Sequence, residues 1–335
     1  MVKNYWYAVD RSSLIQKEPV KLQRFGLKLV LWRDGQGKIA CLEDRCAHRG
    51  TALSLGKLTE GCIECPYHGF RYASDGSCTR VPSNGECAKI PSSFKVRSFP
   101  VREVHEIVWL WWGDARAQYP EIPWFQEFGD SDAPYVEVSR QSPISFCRGM
   151  EANLDFAHFY FVHRFFKIPG LGPVADPFEA SVDGDLIQVQ GTLRCELKAG
   201  QRLSPAQQKG VSFKGSVLFP GLAAYDAPGK ISGGERTFVA LCPVSETESW
   251  ILVRIYYPNT AFKALHRFYW KNIFLKILFP IIHQQDLRVI QQQAPQDSGL
   301  NSDSLISRAD RGIALYLQLF RRSTLRGEEV SLNLK

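Results

Sequence analysis

The chain has 335 residues, 44% of them hydrophobic and 22% charged, with nine cysteines and a formal net charge of +7. That length allows two compact domains or one large one, and the composition excludes a disordered or fibrous chain. An odd number of widely spaced cysteines is not a disulfide framework and suits a reducing, cytoplasmic setting, while the modest positive charge, without a dense Lys/Arg run, argues against nucleic acid and fits solubility or attraction to an acidic redox partner.

The opening segment, Met1-Val2-Lys3-Asn4-Tyr5-Trp6-Tyr7, has no basic leader followed by an apolar core, so no secretory signal is expected. Residues 1–115 read as β-rich. Apolar stretches at Leu27–Trp32, Glu64–Tyr72 and Val108–Trp112 alternate with turns such as Arg33-Asp34-Gly35 and Ser74-Asp75-Gly76. The stretch Arg116–Trp124, with Pro120 and Pro123, reads as a connection, which gives expected domains of 1–118 and 119–335. In the second, a helical pattern surrounds Met150–Phe166. Strands are expected at Leu186–Val189, Ser216–Phe219 and Trp250–Tyr257, and helix over most of Ala261–Arg321. The apolar run Phe268–Ile282 is interrupted by Lys271, Asn272, Lys276 and Pro280 and falls short of the roughly 20 residues of a membrane span. It reads as buried or interfacial, with contact to a membrane surface as the alternative.

Two motifs carry chemistry. Cys46-Ala47-His48 is followed sixteen residues later by Cys65-Pro66-Tyr67-His68. Two close Cys–His pairs imply a metal, and two thiolates with two imidazoles can divide between the irons of a [2Fe–2S] cluster. Zinc also accepts a Cys2His2 set, but its ribbons and fingers group Cys with Cys and His with His. Gly50 and Gly69 suit loops that wrap closely around a cluster.

The second motif is Asn153-Leu154-Asp155-Phe156-Ala157-His158, continuing to His163. Two imidazoles in an aromatic segment need a shared polar partner. On a regular helix Asp155 and His158 share a face, while His163 lies about 140° round from His158, so the helix is expected to end or distort before His163. A carboxylate would complete a two-His, one-carboxylate iron site. Asp286 is the choice: it follows a helix start at Pro280 and shares an apolar stripe with Ile282, Val289 and Ile290. A salt bridge is the competing role for Asp286, and His283, nearby, is left out of the ligand count. Asn153 either orients the iron or caps the helix. Asp155 could equally be a helix N-terminal residue favoured by the helix dipole.

Glu43–Gly50 with Cys65–Phe70 resembles the Rieske domain of ring-hydroxylating oxygenases, and Leu42–Pro82 is also similar to pheophorbide a and chlorophyllide a oxygenases, without their C-terminal C-x2-C. The later motifs resemble the catalytic domain of the same family. The resemblance implies an α+β chain: an N-terminal all-β Rieske domain, then a catalytic domain of antiparallel sheet and helices in a helix-grip arrangement. It implies a [2Fe–2S] cluster on Cys46, His48, Cys65 and His68, and a mononuclear Fe(II) on His158, His163 and Asp286. Asp155 would bridge electron transfer from His68 of a neighbouring subunit in a homotrimer. The expected activity is O2-dependent hydroxylation or oxidative dealkylation, by mono- or dioxygenation, of a small apolar or aromatic substrate, with electrons from a ferredoxin or flavin-dependent reductase. A Rieske electron carrier without oxygenase activity is the alternative. Arg45, Arg49, Lys57, Arg71 and Arg80 are candidates for a basic docking site, with a scattered solvated surface as the plainer reading. Phe213, Phe219, Tyr225 and Phe238 are candidates for pocket lining or, more simply, core. Cys41, Cys62, Cys78 and Cys87 read as small buried hydrophobes.

Overall fold

Tight reversals organise the N-terminal strands in the computed structural model, which describes residues 1–85, 89–128, 133–163, 168–196, 204, 209–226, 235–257, 263–295 and 307–332. Asp34 Oδ1 accepts the N–H groups of Gln36 and Lys38, which closes the turn between β3 (Leu27–Arg33) and β4 (Ile39–Glu43). Asp75 Oδ1 does the same for Ser77 before β8 (Cys78–Arg80).

The chain is α+β and divides into two compact units, Lys3–Ile122 with Cys242–Ser245, and Pro123–Leu241 with Glu246–Lys335 and Met1–Val2. The first unit is made of three small antiparallel sheets. One runs β1 (Tyr5–Arg11), β10 (Ile107–Trp112), β9 (Val101–Val104). Another runs β2 (Val20–Arg24), β3, β4. The third runs β5 (Lys57–Thr59), β6 (Cys62–Glu64), β7 (Arg71–Tyr72), β8. The expected strand Glu64–Tyr72 is therefore two short strands with a loop, Cys65–Phe70, between them. Cys65 and Phe70 hydrogen-bond to each other across that loop instead of to a neighbouring strand.

The second unit holds an eight-stranded antiparallel sheet, ordered β11 (Tyr135–Ser142), β18 (Ser249–Tyr256), β17 (Arg236–Pro243), β16 (Leu222–Asp226), β15 (Val211–Leu218), β14 (Leu186–Arg194), β12 (Val174–Ala175), with β13 (Glu179–Asp183) paired to β14. β18 is buried along its whole length and includes Arg254, which stays charged by pairing with Glu137 at 2.9 Å beneath the ring of Tyr135. The helix α5 (Arg311–Leu332) lies against β13 and β14, and Tyr316 Oη donates to Pro220 O. This is the helix-on-sheet arrangement expected.

The helical pattern over Met150–Phe166 breaks before His163, as the histidine spacing required. α1 (Phe146–Leu154) stops at Asp155, whose ψ of 95 is extended, and α2 (His158–Val162) begins afresh; residues 164–167 lie outside the described residues. Pro280 does stand in the first turn of an α-helix, as expected, but that helix does not start from a loop. Helical backbone runs from α3 (Lys263–Phe268) through a π-helix (Tyr269–Leu278) into α4 (Phe279–Ile290), and Phe279 N–H donates to Phe274 O. Pro280, which lacks an N–H, sits where the ladder changes from the wide to the ordinary turn.

Candidate metal centres

The first centre rests on two loops with the same construction. Gly50 N–H donates to Cys46 O and Cys46 N–H to Thr51 O; Gly69 N–H donates to Cys65 O and Cys65 N–H to Phe70 O. Gly50 and Gly69 take φ of 74° and 72°, a left-handed conformation that glycine adopts without strain. Asp44 anchors the first loop, accepting from Ser54 N–H at 2.7 Å and Ser54 Oγ at 2.6 Å.

This construction separates the two ligand types. Cys46 and Cys65 belong to the hydrophobic core of the unit, with Trp32, Leu42, Leu53, Ile63, Phe70 and Tyr72. His48 and His68 are exposed, their rings 4.9 Å apart. A cavity of about 430 Å³ adjoins them, lined in part by Phe70, Val81, Asn84, Ile90 and Phe94. Burial, with Cys46 beside it, pushes the Cys65 thiol above its ordinary value. Neither cysteine is in a disulfide, so both sulfurs are available as ligands. The donor set, two core thiols with two surface imidazoles, fits an iron–sulfur cluster. Tyr72 Oη lies 3.2 Å from Cys46 Sγ; its place four residues after the second Cys-x2-His carried no signal in the sequence.

The other expectations around these loops fare unevenly. Cys41 is buried, Cys62 and Cys78 are only half-buried, and Cys87 lies outside the described residues. The five-residue basic site is reduced: Arg71 pairs with Glu64 at 2.7 Å and Glu60 at 3.0 Å, and Lys57 with Glu64 at 3.4 Å. Arg45 and Arg49 are exposed.

In the second unit His158 Nε2 and His163 Nε2 lie 3.6 and 3.1 Å from the same oxygen, Asp286 Oδ1. One ligand atom from each of the three residues falls within 4.8 Å of the other two. The break after α1 makes this possible. Asp155 Oδ1 accepts the N–H groups of Ala157 and His158 at 2.9 and 3.2 Å, so it starts α2, and its Oδ2 faces His158 Nδ1 at 3.9 Å. His163, at the end of α2, has left helical geometry with ψ of 43° and is 3% exposed. Asp155 and His158 are thus neighbours across a turn, not on one helix face.

The outer nitrogen of His163 has its own partner, Gln285 Oε1, 3.0 Å from Nδ1. With the amide oxygen accepting there, Nδ1 carries the proton and the Nε2 lone pair faces Asp286 and His158. Two such imidazoles and one carboxylate suit a divalent iron. Burial opposes a charged His163, but the hydrogen bond and charge of Asp286, aided by Gln285, outweigh it and raise its pKa above the ordinary histidine value.

Other residues fall elsewhere. Asn153 lies inside α1 and donates to Gly149 O at 2.7 Å, while the N-cap position is Ser145, so Asn153 does not cap the helix. His283 turns to Ser142 Oγ at 2.8 Å and stacks on Phe279; burial and the nearby Arg140 lower its pKa. On α4 only Leu287 is buried. Val289 is 46% exposed, so the stripe expected to hold Asp286 does not include it. Phe213 stacks on Phe156, Phe219 meets Tyr316 and Phe320, and Phe238 meets Trp124, Phe125 and Phe128, so these three are core. Tyr225 differs: burial and the charge of Asp286 together hold its phenol above the ordinary range, which puts it near the site.

Residues 5–100 match the Rieske [2Fe-2S] domain family. The chain is 34% identical over 163 residues to chlorophyllide a oxygenase, chloroplastic, of Chlamydomonas reinhardtii, covering 48% of this chain and 24% of that one. It is 29% identical over 165 residues to the 3-chlorobenzoate-3,4-dioxygenase oxygenase subunit of Comamonas testosteroni, covering 49% and 38%. Its fold superposes on dicamba monooxygenase bound to dicamba with a TM-score of 0.72 at 21% identity, over 98% of this chain and 99% of that chain. The chain thus carries a Rieske [2Fe-2S] domain, and its whole fold is that of Rieske oxygenases. Its match spans about a quarter to two fifths of these two curated relatives.

Proposed function

We propose that the chain is a Rieske-type oxygenase that draws electrons from a ferredoxin or flavin-dependent reductase. It would use O2 to hydroxylate a small apolar or aromatic substrate, and hydroxylation beside oxygen or nitrogen would lead to dealkylation. The observation that carries this reading is the convergence of His158, His163 and Asp286 in a chain that also has a Rieske domain. A carrier needs only the first four ligands and has no use for a second set.

In this reading Cys46, His48, Cys65 and His68 hold the cluster, and His158, His163 and Asp286 hold one Fe(II). Bound there, the two groups would supply single-electron transfer and O2 activation. The chain's own side chains do the rest. His48 and His68 present exposed imidazole edges through which a partner can reach the cluster. Asp155 places His158 by accepting its backbone N–H, and in a homotrimer the same carboxylate would meet His68 of the partner subunit. Gln285 sets the proton position on His163. Phe159 packs against the rings of His158 and His163, and Phe213 packs on Phe159 and Phe156, so aromatic side chains form one wall of the site.

Iron and sulfide analysis with EPR on anaerobically prepared protein tests this. The expected content is about three iron and two sulfide per chain. Asp286→Ala should reduce the iron to about two, with the reduced-cluster signal unchanged. Two iron and two sulfide that ignore Asp286→Ala, even after iron reconstitution, would leave an electron carrier. Zinc without sulfide would overturn both readings.

A further inference from the structure

One side of the apolar run after residue 264 is exposed. Of the fifteen large hydrophobic side chains exposed among the described residues, seven lie between Leu265 and Val289, so this one helical segment concentrates what the rest of the surface scatters. Five of them, Leu265, Tyr269, Ile273, Ile277 and Ile281, recur every four residues, and Phe268 adds 59% exposure beside them. Residues spaced by four drift round an α-helix in one direction and round the wider π-turn in the other. The α3–π–α4 sequence of turns therefore keeps them close to a single straight line. The opposite stripe, Trp270, Phe274, Leu275, Leu278 and Ile282, is half-buried or buried and holds the helix to its unit.

The charges on the segment are of one sign. Arg267, Lys271 and Lys276 are exposed, and from Ala264 to Gln285 the chain has no Asp or Glu. A stripe of long aliphatic and aromatic side chains accompanied by cations alone is complementary to an anionic lipid surface: the apolar groups enter the acyl boundary and the cations stay among the headgroups. A second copy meeting the stripe face to face would set these three cations against their own equivalents. No helix among the described residues is long and apolar enough to cross a membrane, so this contact is with the surface.

We propose that the exposed stripe Leu265–Ile281 docks the protein on an anionic membrane surface. α4 continues directly from this stripe to Asp286. A docked chain thereby brings its second metal centre close to the lipid phase, where lipophilic substrates concentrate. That last consequence rests on the oxygenase reading; the docking itself does not.

The test is flotation of the intact chain with phosphatidylcholine vesicles containing phosphatidylglycerol and with phosphatidylcholine alone, with molar mass measured by light scattering. The chain should float with the anionic vesicles and partition about tenfold less onto the neutral ones. The double variant Ile273→Glu, Ile277→Glu should lose about tenfold in partition while keeping its cluster absorption and molar mass. Lys271→Glu with Lys276→Glu, which changes only exposed groups, should weaken binding to anionic vesicles alone. Absence of flotation with either vesicle overturns the proposal, as does partition indifferent to both pairs of substitutions. A changed molar mass in the isoleucine variant with vesicle binding intact overturns it too, and assigns the stripe to contact between copies. Turnover is not read, so these outcomes stand apart from the success or failure of the oxygenase reading.

Discussion

The two candidate centres in this chain are built on opposite plans. In the first unit all four donors come from two loops nineteen positions apart, each closed by its own hydrogen bonds and a left-handed glycine. The thiols are part of the core, and the cluster site is inseparable from the folding of the unit. In the second unit one histidine opens a five-residue helix and the other follows it, and the carboxylate arrives from more than a hundred residues later on a helix that also carries an unused histidine. A local site carries its geometry in its own loops, while an assembled one needs neighbours such as Asp155 and Gln285 to aim each ligand. The first should therefore fail as a whole when a ligand is lost, and the second by degrees.

Cys46→Ser is the sharpest test of the first half. Hydroxyl for thiol removes a ligand and leaves a polar group in the core, so the cluster absorption and reduced EPR signal should vanish entirely. Loss of part of the signal, with a shifted spectrum, would mean that the loop can recruit another donor. For the second half, Gln285→Leu removes the acceptor at His163 Nδ1 and leaves all three ligands in place. Fe(II) or Co(II) affinity at that site should fall about 10–100-fold, and Gln285→Glu should restore most of it. Unchanged affinity in the leucine variant would mean that His163 is aimed by packing alone.

Proton competition gives a smaller, graded effect. In the metal-free chain the raised pKa of His163 means that its pairing with Asp286 stabilises the fold fully below the ordinary histidine pKa, and that this contribution fades as pH rises through the raised value. A metal ion must displace that proton. Its apparent affinity should fall about tenfold per pH unit below the raised pKa and level off above it, measured by calorimetry in several buffers. A flat profile across the histidine range would show that the proton is not at the site. The smallest effect is expected at Tyr72. A hydrogen bond from its phenol to Cys46 Sγ favours the reduced cluster. Tyr72→Phe should lower the potential by about 40 mV, the one-electron equivalent of about 1 kcal/mol. An unchanged potential in protein-film voltammetry would place the phenol proton elsewhere.

Cys46, His48, Cys65 and His68 could be singled out in the sequence because pairs of soft donors at short spacing have few other uses. β3 and β10 were legible because apolar runs between turn residues read directly as strands. What misled was continuity. Glu64–Tyr72 looks like one apolar strand, yet the hydrogen bonds of Cys65 and Phe70 close a loop inside it. Met150–Phe166 has a helical pattern whose break the histidine spacing requires, yet its place is set by the Asp155 carboxylate, which takes the N–H groups that open a second helix. Both breaks are decided by hydrogen bonds that compete locally with the regular ladder, and side-chain periodicity does not register them.

By itself, then, the sequence determined the fold class, the pairing of cysteine with histidine, and the short list of second-site donors, because these depend on residue types at short range. Only the tertiary structure decided that Asp286 and not His283 faces His158 and His163, since the two lie three positions apart on one helix and their directions depend on what is packed against it: Ser142 of the sheet for one, the paired histidines at the ends of α2 for the other. It also decided that half of the apolar segment before Asp286 faces outward. Hydrophobicity states what a side chain avoids, and which side of a helix the rest of the chain leaves uncovered follows from packing.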